Sequence, residues 1–384
     1  MRRAALLALA FAALGCAPAP SLVEVCGYPV LDRPVLVLER GEPTASLARL
    51  EGGCLAEAPA ELPLGADQNL LAAHGRPFVG VNDNGALFGV DVAGLALKRP
   101  ALDAYADGAT SWTAHGIYGV DVDAANNLWV SRDDVSSLVI LRPDGKVEDT
   151  VDLSALDTKY GNPRMNGVLV QGPYAYVALG FLPTPVTDEA DRNGGIAEIA
   201  TAAPHDVTRV IDLVGHNPVH ALVPTGDPGV VLVATPGRHD ELSDDDGIDR
   251  VWLDGSRPTE QLAREKELGG SVEEVAWGGE HEVYAITLGE EPGLNPTRLV
   301  VFDPSQPAGP SRIHELAKAP WFDDPVNGAA YVHSGLALTR DHVLVGDHTP
   351  GAPKIRVFSR ATGKQVAAIP TTVGAPWSLL ALAP

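Results

Sequence analysis

Residues 116–153 read GIYGVDVDAANNLWVSRDDVSSLVILRPDGKVEDTVDL. Four short apolar runs lie in this stretch: Ile117–Val122, Leu128–Val130, Leu138–Leu141 and Val147–Leu153. Turn-formers separate them at Ala124–Asn127, Asp133–Ser137 and Pro143–Gly145. Each run has the length and β-branched content of a strand rather than of a helix. Pro143 fixes φ and Gly145 supplies positive φ, so Pro143-Asp144-Gly145 reads as a tight turn. Four antiparallel strands in succession make a meander. One meander buries too little surface to stand alone, so it is expected to stack on copies of itself.

Copies are present. The third strand, LVILRPDG, recurs as ALFGVDVAG (Ala86–Gly94), GIAEIATAA (Gly195–Ala203), DRVWLDGS (Asp249–Ser256), RLVVFDPS (Arg298–Ser305) and KIRVFSRATG (Lys354–Gly363). The second strand recurs as PFVGVND (Pro77–Asp83), YAYVALG (Tyr174–Gly180), VVLVATP (Val230–Pro236), EVYAITLG (Glu282–Gly289) and HVLVGDH (His342–His348). Six units start near Gln68, His115, Asn166, His220, Glu274 and Ser334. Their period, roughly 45–60 residues, fits propeller blades rather than helical solenoids. A seventh unit is split. Pro376–Pro384 is a first strand without a second, and residues 22–52 carry outer strands without a first. Joining residues 22–60 to 375–384 closes a ring and removes two sheet edges. The expectation is an all-β, seven-bladed β-propeller with four-stranded antiparallel blades, spanning residues 22–384 as one domain.

This pattern resembles the seven-bladed propellers of the NHL, YVTN and gluconolactonase-like group, with blade signatures such as NNLWVSRD (Asn126–Asp133). The resemblance implies a ring of blades around a central channel. Gluconolactonase-like members hold one metal there, through Glu, Asn and Asp at inner-strand entries. Asn166-Gly167 resembles that family's Asn-Gly entry, and Glu274 matches its Glu. Where the family has Asp-Gly, this chain has Ser334-Gly335. Docking repeats of quinoprotein dehydrogenases are not seen.

The N-terminus, MRRAALLALAFAALG, has a basic n-region at Arg2 and Arg3 and an apolar h-region over Ala4–Leu14. It reads as a signal peptide over residues 1–15, too short for a stable membrane span. Ala13-Leu14-Gly15-Cys16 resembles a bacterial lipobox, which implies a lipidated Cys16 and a tether over residues 16–21. Ala17 in place of Asp implies the outer membrane. A lipid on Cys16 leaves Cys26 and Cys54 as an even pair on an export route that permits a disulfide.

The chain of 384 residues has 28 basic and 50 acidic residues, a formal charge of −22. That balance disfavours nucleic acid, whose phosphates need Lys and Arg. With 45% apolar residues, the composition is globular rather than disordered. The 40 Gly and 32 Pro fit a chain rich in turns. A monomer is expected.

No G-x-S-x-G, H-E-x-x-H or phosphate-binding glycine loop is present. Acidic residues crowd two long loops: Asp188, Glu189 and Asp191 in one, Asp244, Asp245 and Asp246 in the other. Their hard oxygens suit a divalent metal such as calcium, or simply solvent. Trp129 and Trp252 fall mid-strand and read as packing between blades. Aligning the inner strands puts one polar residue before each apolar run: Asn69, His115, Asn166, His220, Glu274, Ser334 and Ser378. These seven are expected to ring the end of the channel that carries the long acidic loops. Such a ring suits a small polar ligand or a divalent metal. Two functions remain: a lipid-anchored binding or scaffold protein of the cell envelope, and a metal-dependent lactonase or hydrolase. The absence of a catalytic motif favours the first.

Overall fold

The computed structural model describes residues 22–41, 44–58, 68–82, 84–109, 116–182, 192–237, 242–289, 296–319, 322–324, 328–330 and 333–382. It is a seven-bladed β-propeller. Blades two to six are four-stranded antiparallel meanders whose inner strands are Ile117–Val122, Met165–Gln171, Val219–Pro224, Ser271–Gly279 and His333–Leu338. Blade one begins with Gln68–Ala73. Its fourth strand is broken into Ala96–Leu97 and Leu102–Asp103, both paired with Ala86–Asp91. Pro100 lies in the gap and has no amide to give the ladder. Each inner strand packs on the next, and the last packs on the first.

Blade seven closes the ring. Its inner strand, Ala375–Ala381, pairs antiparallel with Val35–Gly41 from the other end of the chain. Thr44–Glu51, Cys54–Glu57 and Val23–Cys26 follow outward. The blade thus has five strands, one more than the expected four, because Val23–Cys26 adds one at the rim. Among the described residues the only α-helix is the single turn Glu265–Leu268.

The core is seven interfaces between neighbouring sheets. Period-two alternation builds them. In Val35–Leu38, Val35 and Val37 pack against Leu344 and Ile355 of blade six. Leu36 and Leu38 face the other way, onto Val79, Val81 and Phe88 of blade one. Trp129 is fully buried between blades two and three, as its mid-strand position implied.

Cys26 and Cys54 sit directly opposite one another on paired strands and form a disulfide. They are 28 residues apart, so the chain-entropy model puts the stabilisation at roughly 3–4 kcal/mol. Cys26→Ser with Cys54→Ser is expected to lower the urea-unfolding free energy by about that amount. An unchanged midpoint would show that the rim strand is held by its ladder alone.

Candidate functional site

The inner strands do not enter the channel as regular ladders. Pairing slips by one residue between Ile117 and Gly119, Met165 and Val168, Val272 and Glu274, and Ser334 and Leu336, and by two between Val219 and Val223. In blade seven the slip lies where Leu38 and Glu39 meet Ser378 and Pro376. Bulges of this kind bend a strand and re-aim its side chains. Here they also bring neighbouring backbones together. A Cβ on Gly167 would lie 2.3 Å from the His220 carbonyl oxygen, and one on Gly346 would lie 2.0 Å from that of Pro376. Glycine at such points is therefore a packing requirement. His220 itself has φ 56°, an uncommon left-handed conformation for a residue with a side chain.

The channel encloses a cavity of about 630 Å³. Of the seven residues aligned from sequence, Asn69, His220, Glu274, Ser334 and Ser378 line it. Asn166 does not. It is buried, its carbonyl accepts the Ser131 hydroxyl, and Gly167 and Val168 form the wall at that blade. His115 lies outside the described residues. Glu273, Tyr118, Trp277 and Trp377 also line the cavity and were not in the aligned set. Glu273 is admitted by the bulge, which lets both members of Glu273-Glu274 face inward; the doubled acid in SVEEVAW was its one sequence signal.

Glu274 clamps two blades together. Its carboxylate oxygens accept the amides of Gly335 at 2.7 Å and Leu336 at 2.8 Å. Burial pushes its pKa above the usual carboxylate range, while His220 and those two amides pull against it. Beside it, His220 Nε2 lies 3.4 Å from Glu273 Oε2. Burial works against a charged imidazole there, but the hydrogen bond to Glu273 and the charges of Glu273 and Glu274 outweigh it, so the His220 pKa is raised. Glu274→Ala leaves two amides without acceptors, at about 1–3 kcal/mol each. Glu274→Gln keeps one carbonyl oxygen and is expected to cost roughly half as much. Equal urea midpoints for wild type and Glu274→Ala would refute the clamp.

Ser334 and His348 are close, with Oγ 2.6 Å from Nε2. The Ser334 hydroxyl donates to the Trp377 carbonyl at 2.9 Å. Nε2 also faces the Pro376 carbonyl at 3.2 Å, which assigns the imidazole proton to Nε2. Burial pulls the His348 pKa down to about 4, so the ring is neutral at pH 7. The serine proton is thus committed to a carbonyl, and the pair joins blades six and seven rather than forming a nucleophile with its base.

Of the two acidic loops, the described one does not reach this cavity: Asp244, Asp245 and Asp246 are not on its lining. Asp244 pairs with Lys266 at 2.8 Å, and buried Asp246 accepts the backbone amide of His216 at 2.7 Å and faces its Nδ1 at 2.8 Å. Asp188 and Asp191 lie outside the described residues. Among the described residues, one trio of His, Cys, Asp or Glu side chains has ligand atoms within 4.8 Å of one another: Glu24, Cys26 and Cys54. Both sulfurs of that trio are in the disulfide.

No family model matches this chain, and no curated protein matches it in sequence. Solved structures do match its fold. Apo AztD from Citrobacter koseri is 14% identical with a TM-score of 0.56, over 92% of this chain and 98% of that one. A candidate 6-phosphogluconolactonase from Bacteroides fragilis is 12% identical with a TM-score of 0.58, over 91% and 97%. A Synechocystis apocarotenoid oxygenase mutant is 11% identical with a TM-score of 0.54, over 94% and 96%. At these identities the likeness establishes the propeller fold, which hosts binding proteins and enzymes alike.

Proposed function

We propose that this chain is a binding protein of the bacterial cell envelope, tethered by lipid on Cys16, that takes a small polar ligand at the strand-entry mouth of its channel. One observation carries the reading: five polar residues from five different blades line a single cavity of about 630 Å³, a volume typical of small-molecule sites. Glu274, which matches the gluconolactonase-like Glu, and Ser334, which stands where that family has Asp, are both engaged in holding adjacent blades. The lipobox-like Ala13–Cys16 supports the tether, and the acidic charge supports a site other than nucleic acid.

Native mass spectrometry after incubation with an envelope small-molecule extract tests the site. The wild type is expected to carry a bound small mass that Ala276→Phe, which fills the channel, does not. Equal loading of both proteins would overturn the reading. So would lactone hydrolysis that stops on adding a chelator. Cys16→Ala is expected to move the protein out of the membrane fraction, and unchanged retention would remove the tether.

A further inference from the structure

The acidic and basic groups on the channel lining, among the described residues, are Glu273, Glu274, His220, His333 and Arg33. Each has a partner in the protein. Glu274 accepts two backbone amides. Glu273 faces His220 and is engaged elsewhere as well. His333 is buried between the Thr297 hydroxyl at 3.1 Å and the Arg356 guanidinium at 3.2 Å. Arg33 Nε lies 3.4 Å from Asp32. An ion entering the channel would give up its water and meet no unpaired counter-charge among these groups.

Ser334 is committed as well, to the Trp377 carbonyl. That leaves two neutral residues of the aligned set, Asn69 and Ser378. Among the described residues nothing hydrogen-bonds the Ser378 hydroxyl. Asn69 spends one amide hydrogen on the Ile117 carbonyl, at a long 3.4 Å. Its second amide hydrogen and its carbonyl oxygen are left for a ligand. Arg40 sets the two residues level. Its guanidinium donates to the Gln68 carbonyl at 2.9 Å and covers the Trp377 ring at 3.9 Å. Asn69 and Ser378 are the next residues along those two neighbouring inner strands, and both line the cavity. Further along, the lining turns apolar. Leu71, Val223, Trp277, Leu338 and Leu380 come from the later halves of five inner strands.

We infer that the ligand is an uncharged amphiphile, an unbranched aliphatic chain ending in a hydroxyl or a carboxamide. Its head lies at Asn69 and Ser378, and its chain runs along the apolar lower bore. Serine and asparagine side chains both donate and accept, and so do these two head groups. The inference rests on the channel-binding reading above and narrows it to a ligand class.

The test titrates the full-length protein at pH 7 with octan-1-ol, octanamide, octylamine and octanoate, following tryptophan fluorescence from Trp277 and Trp377 in the channel wall. The alcohol and the amide are expected to bind saturably, at least tenfold more tightly than either ion. From butanol to octanol the affinity should rise roughly fourfold per methylene. Ser378→Ala and Asn69→Ala should each weaken octanol roughly fivefold, the worth of one ordinary hydrogen bond. Ser378→Thr, which keeps the hydroxyl, should hold most of the affinity. Circular dichroism melts of each variant confirm folding. Octylamine or octanoate binding as tightly as octanol overturns the neutral class, and if Ala276→Phe abolishes that binding the channel site still stands. Octanol binding that is indifferent to both Ser378→Ala and Asn69→Ala overturns the head-group site. If no probe binds, the inference falls, and the extract experiment decides the channel reading separately.

Discussion

A chain truncated after Val373 is expected to lose its cooperative unfolding transition. The truncation removes the strand Ala375–Ala381, whose ladder joins residues at opposite ends of the sequence. Leu379 leaves the interface with blade six and Leu382 the interface with blade one. Burying two leucines is worth roughly 3–6 kcal/mol. A whole domain is typically stable by only about 5–15 kcal/mol. The ladder partners of Val35–Arg40 go as well, leaving a long apolar sheet edge open to solvent and to other chains. Trp377 also takes with it the Arg40 contact and the His348 stack at 4.9 Å. The buried carboxylate of Glu57 holds the preceding turn by accepting the Thr372 amide at 3.1 Å and its hydroxyl. Without the strand, that turn ends in a loose terminus. Thermal melts by circular dichroism, with limited proteolysis, read the outcome. Adding a peptide of residues 374–384 in trans should restore part of the transition. A truncated chain that melts within a few degrees of the full one would show that six blades and an open edge suffice.

The ring was legible because its signals are local and repeated. Alternation over two residues, as in Val35–Leu38, places side chains on opposite faces whatever the neighbours are, and Pro-Asp-Gly fixes a turn by its own backbone limits. Closure was legible from one unit split between the ends of the chain. The channel was less so. Aligning inner strands on hydropathy assumes one residue per step, and a bulge breaks that assumption. It put Gly167 rather than Asn166 on the wall and brought in Glu273. The glycines after Asn166 and Ser334 looked like family motif, yet an added Cβ would strike the next blade's backbone there. Least legible were the buried acids. Asp249 in GIDRVW reads as a solvated charge, because hydropathy scores residue types and not what surrounds them. In the fold it is fully buried and accepts the amides of Val214 at 2.8 Å and Gly215 at 3.0 Å.

Those acids predict that the protein is less stable at pH 8 than at pH 6. Burial pushes Glu39 up to about 7, with the neighbouring charge of Glu57 adding to it. Asp249 is pushed to about 7 by burial, against two backbone amides. Burial pushes Glu265 to about 8. All three are fully buried. In the unfolded chain such groups ionise near 4. Between that point and the folded value, the native state holds a proton that the unfolded state has released, so stability falls as pH rises. The contribution is complete below the unfolded value and is lost as pH passes through the folded one. From pH 6 to 8 the loss covers about one pH unit each for Glu39 and Asp249 and about two for Glu265, at roughly 1.4 kcal/mol per unit. Allowing for relaxation around the charges, the expected fall is roughly 2–5 kcal/mol. His333 and His348, both pulled down to about 4, are neutral in the fold but ionise near 6.5 in the unfolded chain, so between pH 6 and 7 they offset part of the fall, by up to about 1 kcal/mol each. His220, raised by its two glutamates, acts in the same direction as the acids. Urea unfolding at pH 6, 7 and 8 measures the slope directly. Glu39→Gln and Glu265→Gln should each flatten it, since an amide cannot ionise. A protein equally stable at pH 6 and pH 8, or more stable at pH 8, would mean that these buried carboxylates are already charged and compensated in the fold.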